Sequence, residues 1–130
     1  MKKINYALVS RSLIALLFVF AGIGKVMGFS AFASSLGQME IPVPMLAALI
    51  VVIVEIPVAL AFAYGYKVKE TGYALIAFTV LATLIAHRDF DNQMNVIMSL
   101  KNLAIVGGIM SAVACSCAEC VVHKKSHHAA

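Results

Sequence analysis

Four stretches of the chain stay apolar over about the 20 residues that a bilayer-spanning helix needs: Tyr6–Met27, Pro44–Tyr64, Gly72–His87 and Val96–Cys115. The third is the shortest, and either borrows from its flanks or stands straighter in the bilayer. Between the first two, GFSAFASSLGQMEIPVP keeps another rhythm: Phe29, Phe32, Leu36 and Met39 recur at helical spacing, and Ser30 is placed to cap a short helix. The pattern predicts an all-α integral membrane four-helix bundle with a short interfacial helix between spans one and two. That helix would serve either as a packed lid or as a gate over a cavity.

Composition agrees with a lipid environment. Of 130 residues, 62% are hydrophobic and 12% charged, and the mean hydropathy is +0.96, beyond the roughly 45–50% apolar content of soluble domains. No Pro/Gly/Ser-rich linker, low-complexity tract or convincing repeat divides the chain. Residues 1–115 read as one four-span membrane domain and residues 116–130 as a Cys/His-rich tail, which leaves no room for a separate soluble catalytic domain.

The net charge of +4 does not point to nucleic acid, because the aromatics lie in the spans and the basic residues flank them. Lys2 and Lys3 precede span one, Lys67 and Lys69 join spans two and three, and Lys124 and Lys125 follow span four, whereas the other two loops hold only Arg88. The positive-inside rule places both termini in the cytoplasm. MKK, the following apolar run and Ala31-Phe32-Ala33 imitate a secretory signal, but Arg11 delays the run and Lys25 stands before the supposed cleavage site.

Within the spans, a few polar residues stand out. Glu55 interrupts VVIVEIPVA close to the middle of span two, where a carboxylate costs roughly 2.5–3.5 kcal/mol on insertion scales and needs an answering group. On a rise of 1.5 Å per residue, Arg11 lies about 9 Å toward the cytoplasm and Lys101 about 7–8 Å toward the outside. Lys25 and His87 close the outer ends of spans one and three, and Asn102 adjoins Lys101. Lys101 is the preferred partner of Glu55, since Arg11 is near enough to the cytoplasmic face to snorkel.

Pro57 removes an amide donor and leaves the Ile53 carbonyl without its helical partner, which predicts a kink at the carboxylate. A polar group and a freed carbonyl at one depth are common at midplane binding sites. The competing reading is that Glu55, Lys101 and Asn102 lock the helices in register. Gly22, Gly24, Gly28, Gly107 and Gly108 suit close helix packing, and Met94, Met98 and Met110 suit core or lipid-facing filler.

The tail ACSCAECVVHKKSHH holds all three cysteines. If helix continues there, Cys120, His123 and His127 share a stripe at i, i+3 and i+7. With Cys117 nearby, these thiols and imidazoles are candidate ligands for Zn(II) or Cu(I). CAEC also has a redox spacing, but a helix C-terminus opposes a thiolate.

Arg11 early in span one, AGIGKVMGF at its end, PVPMLAALIVVIVEIPVAL across span two, ATLIAHRDF closing span three and LKNLAIVGG in span four together resemble the DoxX family of small four-helix bacterial membrane proteins. The family pattern maps onto Arg11, Gly22, Lys25, Glu55, His87, Lys101 and Asn102. Two departures are visible: HRDF keeps only Phe90 of an aromatic pair that often follows the span-three histidine, and CSCAEC replaces a short Gly/Pro ending.

The resemblance implies a bacterial inner-membrane protein, accessory to a redox complex linked to quinone, with Glu55 and Lys101 handling ligand or proton and a membrane or peripheral partner supplying the electrons. No haem site fits, because His87 is the single histidine in the spans, and iron–sulfur chemistry lacks its customary four cysteines. The alternative is a non-catalytic carrier, metal-handling or assembly module acting through the tail. Catalysis by this chain alone is not expected.

Overall fold

The computed structural model describes residues 5–128, with side chains described through Cys117. Helix α1 (Tyr6–Met27) starts at Asn5, whose Oδ1 accepts the Leu8 amide at 3.2 Å and so satisfies one of the orphan donors of a helix start. Gly28 breaks the direction, and α2 (Phe29–Gln38) follows at once. The interfacial helix is therefore present, although Gly28 and not Ser30 occupies its N-cap, with no side-chain cap bond.

Span two comprises α3 (Pro44–Ile53), a π-helical turn (Val54–Val58) and α4 (Ala59–Tyr64). Pro57 does not end this helix. Its missing N–H and its ring both disfavour ordinary α geometry, and the wider π turn accommodates them. Gly65, at φ 95°, closes α4 in the left-handed conformation that glycine adopts without strain.

Helix α5 (Val68–Ala86) begins one turn earlier than the expected Gly72, with His87 as its C-cap. Helix α6 (Gln93–His128) begins before Val96 and continues through residue 115 as one helix, Gln93–Cys117 being its apolar part. All four spans have the length and hydropathy to cross a membrane, and no strand occurs among the described residues.

The spans form a ring: α1 packs on span two, span two on α5, α5 on α6, and α6 returns to α1, with no close backbone approach across either diagonal among the described residues. Helix α2 lies over one end, against α3. The well-packed core sits toward the other end, where the termini are, and contains Ala15, Phe18, Ala59, Phe62, Leu75, Ile109, Ala112 and Val113. Gly72 is pressed against Val113 and Phe62 there. In lipid, apolar burial does not itself draw helices together, so such close contacts of small residues carry the packing.

Candidate functional site

The core does not extend to the α2 end. There the four spans and α2 line a cavity of about 310 Å³, inside the range of about 300–1,000 Å³ usual for small-molecule sites. Its walls are mostly apolar, with Leu17, Phe18, Ala21, Phe78 and Ile105 among them, and Phe32 and Leu36 of α2 and its C-cap Met39 cover it. Phe18 and Phe78 meet edge to face across the ring, with centroids 6.4 Å apart.

One wall carries the ion pair. Lys25 Nζ lies 2.8 Å from Glu55 Oε1 and 2.9 Å from Oε2, the side chains being 26% and 6% exposed respectively. Two features make this contact. A Cβ on Gly22 would stand 2.6 Å from Ile56 Cγ1 and 3.1 Å from Glu55 Cβ, so the absent side chain lets α1 lie directly on the π turn. Lys25, three residues on and on the same helical face, then reaches the carboxylate. Above the pair, the Phe32 ring centroid is 5.4 Å from Lys25 Nζ, a cation–π contact from the covering helix.

The partner of Glu55 is thus Lys25 and not Lys101. Span two and α6 stand on a diagonal of the ring, and the Lys101 side chain runs back along its own helix to donate to Met98 Sδ at 3.4 Å. Arg11 does not approach either: its Nη1 donates to Ser116 Oγ at 3.0 Å near the terminal end of the bundle.

The other predicted residues gather nonetheless. Lys25, Glu55, His87, Lys101 and Asn102 all line the same cavity, and Arg11 alone of the six intramembrane candidates lies outside it. Asn102 Nδ2 donates to Thr83 Oγ1 at 2.9 Å, and Thr83 and Thr79 donate to carbonyls one turn back, at 2.7 Å each. His87 Nδ1 is in hydrogen-bonding contact with Asn95 Oδ1 at 3.2 Å. Thr79, 4% exposed, was missed by the sequence reading, although hydroxyls four residues apart in span three already marked one helix face.

Of the tail ligands, Cys117 is an exposed thiol, as is Cys115. Cys120, His123 and His127 lie outside the described side chains, and among the described residues no group of three metal-ligating side chains converges.

A family model for DoxX matches residues 6–88. The chain belongs to the DoxX family. The matched segment contains Arg11, Lys25, Glu55 and His87, while Lys101 and Asn102 follow it. This DoxX chain is also 33% identical over 103 residues to Inner membrane protein YqjF of Escherichia coli (strain K12), covering 79% of this chain and 78% of that protein. No solved structure matches it. It is a DoxX-family membrane protein whose ion pair and cavity occupy the covered end of the bundle.

Proposed function

We propose that this chain is an accessory subunit of a redox complex, holding a quinone-type ligand in the cavity while a partner protein supplies the electrons. The observation that carries this reading is the Lys25–Glu55 pair in the wall of an otherwise largely apolar cavity. An apolar pocket with a few convergent polar groups suits a lipid-soluble carbonyl compound.

The residues fit such a ligand in chemical terms. Lys25 Nζ can donate to a ligand oxygen, and Glu55 can accept or release a proton beside it. Phe32 and the apolar walls exclude water from that exchange. A quinone, when bound, supplies the electron-accepting chemistry.

Lys67, the N-cap of α5, and Lys69 in its first turn support an orientation with both termini in the cytoplasm and the covered end facing outward. Reporter fusions at each loop test that orientation.

The functional test is quinone-linked oxidoreductase activity of native membranes carrying wild type, Glu55→Gln or Lys25→Met. A loss of activity in both variants, at equal protein level, is the expected result. Unchanged activity with the protein present would overturn the proposal.

A further inference from the structure

Helices α1 and α6 run antiparallel and touch toward the terminal end, where Arg11 bonds Ser116 and Gly108 lies beside Ile14. Continuing that pairing toward α2 sets Leu17, Ala21 and Lys25, on the Ile14 face of α1, opposite Ile105 and Lys101, on the Gly108 face of α6. These five residues line the cavity. Leu17 is 42% exposed, and Lys101 is exposed as well. Toward the α2 end, the α1–α6 seam thus carries residues that line the cavity and are also exposed on the outer surface of the bundle.

Lys101 lines the cavity on this seam and makes no ion pair among the described residues. Its hydrogen-bond acceptor is a thioether, a weak one. The carboxylate that lines the same cavity, Glu55, is engaged by Lys25. An ammonium inside a span ordinarily pairs or faces water. From the middle of Gln93–Cys117, Lys101 is about 6 Å toward the α2 end by helical rise, and its side chain adds about 6 Å by snorkelling. That brings the charge near the edge of a hydrocarbon half-layer of about 15 Å, where lipid phosphates lie.

We propose that the cavity opens sideways to the bilayer through the α1–α6 seam and that Lys101 holds the phosphate of an anionic phospholipid at its mouth. The headgroup supplies the anion that the protein does not, and an acyl chain occupies the gap beside Leu17. The proposal concerns the seam and not the ligand of the Lys25–Glu55 wall, so it stands or falls independently of the quinone reading.

The chain contains no tryptophan, so Leu17→Trp installs a single fluorescent reporter at the seam. The full chain carrying it is reconstituted in phosphatidylcholine vesicles containing acyl-brominated phosphatidylglycerol or acyl-brominated phosphatidylcholine. The expected result is a roughly fivefold preference for phosphatidylglycerol in the quenching titration. The preference should disappear in Lys101→Met and persist in Lys101→Arg.

Native mass spectrometry of the chain without the reporter, wild type beside Lys101→Met, gives the second readout: a phosphatidylglycerol adduct retained by the first and lost by the second. Equal quenching by both lipids, or a preference and adduct that survive Lys101→Met, would overturn the assignment to Lys101. A reporter that neither lipid quenches would overturn the lateral opening.

Discussion

Gly22 and Glu55 are in contact through the space a side chain would have filled: a methyl group on Gly22 would come within 3.1 Å of Glu55 Cβ. The closeness of α1 to the π turn, and with it the reach of Lys25, depends on that missing methyl. Gly22→Ala should destabilise the bundle by about 1–3 kcal/mol, the usual cost of overpacking. Gly24→Ala, at a position with open space around it, should be neutral or slightly stabilising. Thermal unfolding of both variants in one detergent checks the contrast.

The Lys25–Glu55 pair predicts a strong non-additivity. Removing either partner leaves the other charge without its counter-ion, and Lys25→Met or Glu55→Leu alone should cost on the order of 3 kcal/mol. The double variant should recover most of that loss, since an ion pair can often be replaced by apolar packing. Combining Glu55→Leu with Lys101→Leu should bring no comparable recovery, because Lys101 does not reach Glu55. Reversible unfolding in mixed micelles, read as a double-mutant cycle, decides between the two pairings.

Pro57 should control the same coupling through the backbone. Pro57→Ala restores the amide donor to Ile53 and favours an α turn over the π turn Val54–Val58. Tightening the π turn to an α turn rotates the helix before Pro57, with Glu55, relative to α4 and so changes its alignment with Lys25. The expected outcome is a Lys25–Glu55 coupling energy at least halved, measured by repeating the double-mutant cycle in the Pro57→Ala background.

Phe32 ties α2 to the ion pair. Phe32→Ala should remove about 0.5–2 kcal/mol of cation–π attraction and loosen the cover of the cavity. In a chain with its native cysteines replaced, Ala82→Cys places a thiol in the cavity wall. Its alkylation by a small maleimide should be several-fold faster with Phe32→Ala than without. Equal rates would show that α2 does not limit access.

The polar ladder between α5 and α6 should matter less. Asn102→Leu removes the bond to Thr83 Oγ1, but Thr83 keeps its own acceptor in the Thr79 carbonyl. A loss of about 0.6–1.7 kcal/mol is expected, typical of hydrogen bonds between membrane helices, and unfolding of Asn102→Leu beside Thr83→Ala measures it.

Span number, the short covering helix and the polar residues worth attention were legible in the chain because each is a local matter: about 20 apolar residues make a span, Phe29–Met39 repeats at helical spacing, and an ionisable group in lipid is costly wherever it points. Pro57 likewise announced a disturbance beside Glu55, although its form as a π turn was not foreseen. The pairing of Glu55 was not legible. Depth estimates along separate helices favoured Lys101, yet which helices are neighbours and how closely they approach is decided only when the ring closes. Gly22 draws α1 onto the π turn, and the diagonal separates α6 from span two. Depth is a property of one helix, whereas contact is a property of two, and it was contact that gave Glu55 to Lys25 and left Lys101 at the mouth of the cavity.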